Sequence, residues 1–392
     1  MKVVIIGTGK IGCGYLAPMF AEAGWSVVLA ARTGLTADRM LSAGAFSVRV
    51  TGGGGLRNYQ VPQVVVTGTR GFDHQVAQAD LIATAVGVDK VVGLAPALAA
   101  ALATRPAGAA LDVWTVENQD RAADLEVAVR SVAAQNGFEH PRVGFAGAIA
   151  EVVVGRGGWD QPGRVEFVGD NTRSLSVDRT RLVSPLPRLP GVRGTSQYQA
   201  RLHEKLFVFN TGHALCAYLG ALRGHHTIDR AVVDPALRPL VVGCLLESRR
   251  ALLTTYPRLG NDQTGPVAQA LKRFGDEELA DPIARVARDP IRKLGRTDRL
   301  VGPALMVEAA NGELPAHFSL GIAAALLYRS DTDQQATALA AMLAERGVAP
   351  VIEEVCGLSP TDGIGGAVAS RYHGFILTDD GAVFPPVHEV AG

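Results

Sequence analysis

Lys205, Asn210 and His213 stand within KLFVFNTGHALCAYLG, residues 205–220, among Leu206, Phe207, Val208, Phe209, Ala214, Leu215 and Leu219. Burying an ammonium, an amide and an imidazole in such company costs several kcal/mol, roughly, unless each meets a partner. On an α-helix at about 100° per residue the three positions project within a sector of about 140°, so one cleft can take them all. Hydride transfer at a carbon bearing oxygen needs a proton donor and acceptor for that oxygen, and dipoles to hold it as it becomes negative. A lysine and an amide supply both without a metal. Taken singly, each residue has a plainer explanation: a lysine reaching to water, and an asparagine and histidine satisfied within a core. The nine histidines and four cysteines show no zinc-ligand spacing, so no metal is expected.

A second pattern supplies the hydride carrier. Gly7-x-Gly9-x-x-Gly12, enclosing Lys10 and Ile11, follows the apolar run KVVIIG and opens an amphipathic stretch that leads to a second apolar run, SVVLAA. In such a βαβ unit the first glycine allows the tight turn, the second lets backbone approach a pyrophosphate, and the third permits close helix packing. The bland alternative is a tight turn without a ligand. Where NAD-binding folds place an acidic residue for the ribose, this chain has Ala31-Arg32-Thr33. Arg32 can pair with a 2′-phosphate, so NADP(H) is favoured and NAD(H) is the alternative, with a solvated surface arginine as the plainest case.

The elements that must position these groups divide the chain in two. Strand-like and helix-like stretches alternate through DLIATAVG (80–87) and AALDVWTVEN (109–118), predicting an α/β, Rossmann-type dinucleotide-binding domain over residues 1–190 with a parallel sheet covered on both faces. FSVRVTGGGGLRNYQVPQVVVTG reads as a hairpin inserted in that sheet, and VEFVGDNTRSLSVDRTRLVSP as an antiparallel addition. PLPRLPGVRGTS (185–196) reads as the linker to a mainly α-helical domain over residues 197–392. Lys plus Arg equals Asp plus Glu at 38 each, so no net field recruits nucleic acid or an anionic membrane. The longest apolar runs fall short of the roughly 18 residues of a membrane span. MKVVIIG runs directly into a strand with no cleavable signal, and the scattered cysteines Cys13, Cys216, Cys244 and Cys356 point to a reducing cytoplasm.

The Lys-x4-Asn-x2-His spacing of residues 205–213 resembles the signature of the polyol-specific long-chain dehydrogenases, the mannitol dehydrogenase family, and within it most closely the mannitol-1-phosphate 5-dehydrogenases. GTGKIGCGYLAPMFAEAG, TAVG with LAPALAAAL, VEN at 116–118, RVARDPIRKLGRTDRLVGPA and GIAAALLYRSDTDQQA resemble that group in the same order. The resemblance implies Lys205 as general acid/base, Asn210 and Asn118 as the amides that stabilise the oxyanion, and His213 as the group that orients the substrate. It extends cofactor binding to Ala85, Val86 and Gly87, and suggests a monomer. Glu151 stands where the family has an acidic residue, but Val152 replaces the arginine after it, and Gly147 and Ala148 replace polar residues before it. Mannitol itself is therefore in doubt.

RDPIRKL (288–294) offers Arg288, Arg292 and Lys293, with Arg288 and Arg292 at i, i+4 on one expected helix face. They form either a clamp for a substrate phosphate or an ion-pair cluster that docks the domains. The expectation is a zinc-independent NAD(P)-dependent dehydrogenase acting on a secondary alcohol of an open-chain sugar phosphate or polyol, in a cleft between two domains. A 6-phosphogluconate or 3-hydroxyacid type of dehydrogenase, and a non-catalytic dinucleotide sensor, are the alternatives.

Overall fold

Consecutive apolar residues define the first strands. β1 (Lys2–Ile6) is KVVII, buried from Val3 to Ile6, and β2 (Ser26–Ala31) is SVVLAA, buried from Val27 onward. Runs of this kind suit parallel strands covered on both faces, whereas strict alternation suits a strand with one wet face. The chain continues through β3 (Ala45–Val50), β4 (Gly55–Gln60), β5 (Gln63–Val66), β6 (Leu81–Thr84), β7 (Leu111–Thr115), β8 (Val143–Ala150), β9 (Val154–Arg156), β10 (Val165–Gly169), β11 (Leu175–Asp178) and β12 (Val192–Thr195). The computed structural model describes residues 1–106, 108–138, 142–159, 165–378 and 381–385, in two compact units, Met1–Leu202 and His203–Gly392.

In the first unit the main sheet has the order β12-β11-β8-β7-β6-β1-β2-β5 and is parallel from β8 to β5. Successive residues feed opposite cores: Val3, Ile5, Leu29 and Trp114 enter one, and Val4, Ile6, Val28 and Val113 the other. β1 has β2 on one side and β6 on the other, and the crevice at the carboxyl ends of such strands is where open α/β sheets take ligands.

Two expectations are corrected here. The glycine-rich hairpin is not inserted in the main sheet: β3 and β4 do pair, but they join β10 and β9 in a separate sheet of order β4-β3-β10-β9, and only β5 returns to the main sheet beside β2. Aromatic packing decides this, since Phe46 of β3 meets Trp159 and Phe167 at ring-centroid distances of 5.8 and 5.9 Å. The segment expected as a linker contains β12, parallel to β11 at the edge of the main sheet.

The second unit is built on helices. Thr211–Leu222 is buried along almost its whole length, as is Ala316–Leu327, so both are apolar on every side and serve as the interior of the bundle. Small residues let the helices touch: a Cβ on Gly321 would stand 2.2 Å from Leu215 Cδ2. Among the described residues no helix is long and apolar enough to cross a membrane.

Candidate active site

The glycine turn after β1 is shaped by backbone crowding. Gly7 has φ 114°, and a Cβ there would lie 2.3 Å from the carbonyl oxygen of Ala85; on Gly12 it would lie 1.9 Å from the carbonyl oxygen of Gly7. Only glycine is accommodated at either position. A Cβ on Gly9 or on Gly87 would meet nothing within 4 Å, so these exposed backbones face open space at the carboxyl ends of β1 and β6. That is room of the kind a pyrophosphate and its nucleotide need. Lys10 Nζ donates to the carbonyl of Gly155 at 2.7 Å, and Trp159 Nε1 donates to that of Thr8 at 2.8 Å, which fastens the turn to β9 and the loop after it. Ile11, half-buried, packs on the same core. The helix begins with a π-helical turn, Gly12–Leu16, in which Cys13 is buried and its thiol pushed up to about 12 by desolvation, against a smaller lowering by Trp159.

Beyond β6, the N–H groups of Val86 and Gly87 donate to the two carboxylate oxygens of Glu117 at 2.9 and 3.0 Å. Glu117 is buried, and its carboxylate orders the loop beside the glycine turn. Sequence reasoning passed over it in favour of Asn118, the exposed residue that follows; an acidic residue set beside Val116 just past the end of β7 was the available signal. Arg32 is exposed immediately after β2, and Thr33 caps the next helix by accepting from the N–H of Thr36. Glu151, half-buried at the end of β8, donates its N–H to Ser174 at 3.0 Å, and its charge reinforces the effect of burial in raising the Tyr15 phenol. The space beside Gly147 is taken by Tyr198, whose ring carbon Cζ is 2.2 Å from where a Cβ would be.

Lys205, Asn210 and His213 share one continuous helical stretch, but it is not uniformly α. Tyr198–Glu204 is α-helical, Lys205–Asn210 is π-helical, and α-geometry resumes over Thr211–Leu222. The sector expected from regular α-helical spacing therefore does not carry over. The wider turn resets the angle between Lys205 and the two residues after it, a distortion found frequently at functional sites. Asn210 is 7% exposed, and among the described residues its Nδ2 has no hydrogen-bond partner. Gly212 permits close contact with Phe274 and Leu245, at 2.8 and 2.9 Å from a would-be Cβ. Phe274 in turn lies nearly parallel to the His213 ring, with centroids 5.2 Å apart.

His213 has 13% of its side chain exposed, and its Nε2 is 3.1 Å from Asp281 Oδ2. Burial lowers the imidazole pKa, and the Asp281 carboxylate works against that. Asp281 is itself gripped through both oxygens by Arg285. Burial alone would raise the Asp281 carboxyl, but hydrogen bonds from His213 and Arg285 hold it below the usual carboxylate range. The neutral imidazole thus carries its proton on Nε2, leaving Nδ1 as an acceptor. Neither Asp281 nor Arg285 was singled out from sequence.

The three cations of RDPIRKL occupy different settings. Ile283–Ala287 and Pro290–Leu294 are separate short helices, broken at Asp289 with φ 61°, so Arg288 and Arg292 do not share a helix face as their spacing suggested. Asp333 holds that break by accepting the N–H of Asp289 at 2.8 Å. Arg288 has 66% of its side chain exposed and stands 3.7 Å from Asp289. Arg292 pairs with Asp298 at 3.0 Å. Lys293 is buried and donates to the carbonyls of Val286 and Arg288, where the first short helix ends. Burial, then the charges of Arg299 and Arg292, push its pKa well below that of a free lysine. Its field also reaches His213. Among the described residues no group of three or more His, Cys, Asp or Glu side chains is placed to hold a metal ion.

Comparison with known proteins finds relatives of the fold. Residues 197–373 match the mannitol dehydrogenase C-terminal domain. Among solved structures, the mannitol 2-dehydrogenase of Pseudomonas fluorescens, in ternary complex with NAD and D-mannitol, aligns with a TM-score of 0.74 at 16% identity, covering 95% of this chain and 91% of that one. A substrate-free D-sorbitol dehydrogenase aligns at 0.67 and 13% identity, covering 95% and 92%. D-mandelate dehydrogenase with NADH and anilino(oxo)acetate aligns at 0.54 and 12%, covering 87% and 99%. Such identities establish a common fold, and the match over residues 197–373 is to the helical domain of one family, the mannitol dehydrogenases.

Proposed function

We propose that the protein is an NAD(P)-dependent dehydrogenase that interconverts a secondary alcohol and a ketone on an open-chain polyol or its phosphate. The observation that carries this reading is Asn210: a buried amide whose Nδ2 has no partner among the described residues, in the same π-helical turn as Lys205. A buried donor left unpaired costs about 1–3 kcal/mol, and a substrate oxygen that accepts from it removes that cost. Lys205 protonates the carbonyl oxygen in reduction and takes the proton back in oxidation. Asn210 and Asn118 hold that oxygen as it gains charge. His213, its Nε2–H committed to Asp281, accepts from a substrate hydroxyl through Nδ1. A nicotinamide, when bound, supplies or receives the hydride. The open backbone at Gly9 and Gly87 and the glycine turn at Gly7 and Gly12 are suited to holding its dinucleotide.

The Pseudomonas fluorescens structure contains NAD and D-mannitol, which supports a polyol here. Arg32 in place of an acidic residue after β2 supports NADP(H) over NAD(H). Arg288, the most exposed of the three cations, supports a phosphorylated substrate. Family resemblance supports a monomer, and four buried free cysteines are consistent with a reducing cytoplasm. A panel of ketoses and ketose phosphates assayed with NADH and NADPH tests the proposal. Reduction of at least one member, lost in Lys205→Ala, is expected. Dinucleotide binding without turnover of any member would overturn it in favour of a sensor.

A further inference from the structure

The π-helical turn that carries Lys205 and Asn210 moves one backbone acceptor off its α-helical donor. The N–H of Thr211 bonds back to the carbonyls of Leu206 and Val208, passing over that of Phe207, which a regular α-helix would pair with it. The hydroxyl of Ser248 donates to the Phe207 carbonyl at 2.7 Å. Ser248 is 1% exposed and lies on the helix Arg238–Thr255. The next residue, Arg249, is equally buried and pairs with Glu204 at 2.6 Å, immediately before Lys205. On the far side of the turn Thr211 Oγ1 donates to the Arg299 carbonyl at 2.6 Å. The wide turn is therefore held at its start, its middle and its end by side-chain contacts, and Ser248 donates to the carbonyl that the Thr211 N–H passes over.

We propose that Ser248 is a positioning residue: by satisfying Phe207 it keeps Lys205–Asn210 in the π form and so sets the direction of the Lys205 amine relative to the Asn210 amide. Without the hydroxyl, α-pairing of Phe207 with the Thr211 N–H replaces the lost bond, and that change of pitch turns Lys205 about the helix axis by up to about 100° relative to Asn210. A misplacement of about 1 Å at a reacting group costs on the order of 10²-fold in rate. The inference rests on the acid/base role proposed for Lys205.

The test compares Ser248→Ala, Ser248→Cys and Ser248→Thr with the parent on the best ketose of the panel. Ser248→Ala is expected to lower kcat at least ~10-fold, to shift or flatten the pH profile of kcat, and to leave the dinucleotide Kd unchanged. Ser248→Thr, which keeps the hydroxyl, should restore most of the kcat and the parental profile. Should Ser248→Ala fail to fold, Ser248→Cys has nearly the same shape and only a weak donor, and the same loss is expected of it. A folded Ala or Cys variant with kcat within about twofold of the parent and an unchanged pH profile would overturn the proposal. Amide hydrogen exchange over residues 205–212 reads the turn without turnover: an altered pattern of protection across these residues is expected in the variants, and the parental pattern refutes it. If instead Lys205→Ala turns over normally, the acid/base assignment fails, and the exchange measurement still decides the role of Ser248.

Discussion

Asp281→Asn isolates the charge beneath His213. Asp281 is 3% exposed, stands 3.1 Å from His213 Nε2, and is gripped by Arg285. The substitution keeps the shape and an acceptor oxygen for the imidazole, but deletes the charge that faces the guanidinium. Breaking a buried ion pair by removing one partner costs about 3–5 kcal/mol. Arg285 keeps 27% of its side chain in solvent, so water recovers part of that, and a loss of about 2–3 kcal/mol is expected. For a unit the size of His203–Gly392, at about 2–4 °C per kcal/mol, Tm should fall by about 4–12 °C at pH 7. The pH dependence has a definite sign. The folded-state pKa of Asp281 is depressed, so its contribution is complete above the unfolded value of about 3.9 and disappears as pH falls through the folded one. The gap between variant and parent should therefore narrow in acid below about pH 4. His213, lowered by burial, resists protonation in the folded state, so its share of stability is lost as pH falls below about 6.5. Asp281→Asn removes the carboxylate that opposes this lowering, and the ring should titrate lower still. Thermal unfolding across pH and an NMR titration of the histidine rings measure both effects. A Tm at pH 7 within 1 °C of the parent, or His213 titrating above about 6.5 in the parent, would refute the reasoning.

Lys205→Ala should reduce kcat by at least ~10²-fold with dinucleotide affinity nearly unchanged, and the pH profile should lose the ionisation assigned to the amine; near-normal turnover removes the lysine from the chemistry. If Arg32 pairs with a 2′-phosphate, the parent should prefer NADPH, and Arg32→Ala should lose about 10- to 100-fold in kcat/KM with NADPH and little with NADH, from a charge-assisted bond of roughly 1.5–3 kcal/mol. Equal losses with both cofactors would show that the arginine does not read that phosphate. Gly7→Ala places a Cβ 2.3 Å from the Ala85 carbonyl at φ 114°, and should cost about 1–3 kcal/mol of stability together with most dinucleotide affinity; isothermal titration showing parental affinity would contradict the account of the turn.

Local chemistry was legible in the sequence wherever it was unusual for its surroundings. KVVII, SVVLAA, LIAT and LDVWT announce buried parallel strands because each apolar run is short and closed by turn residues, and two of the three glycines spaced after β1, Gly7 and Gly12, fall where backbone crowding excludes a side chain. Lys205, Asn210 and His213 stood out for the same reason, as polar groups in an apolar helix. Asp281, Arg285, Ser248 and Glu117 did not. They are ordinary residue types whose significance lies in partners distant along the chain: Ser248 reaches a carbonyl 41 residues away, and Glu117 accepts from Val86, 31 residues back. Alternation in β3 and β4 defines a hairpin and its two faces, but its attachment to β10 depends on how Phe46 packs against Trp159 and Phe167. The spacing of Arg288 and Arg292 implied one helix, until the left-handed Asp289, held by Asp333, split it in two. Sequence by itself determined the kinds of elements and the chemical groups on them, because propensity and apolar periodicity act over a few residues. Tertiary structure decided the pitch of the Lys205 turn, the protonated nitrogen of His213 and the pairing of the small sheet, because each rests on a hydrogen bond or packed ring supplied by a segment far away in sequence.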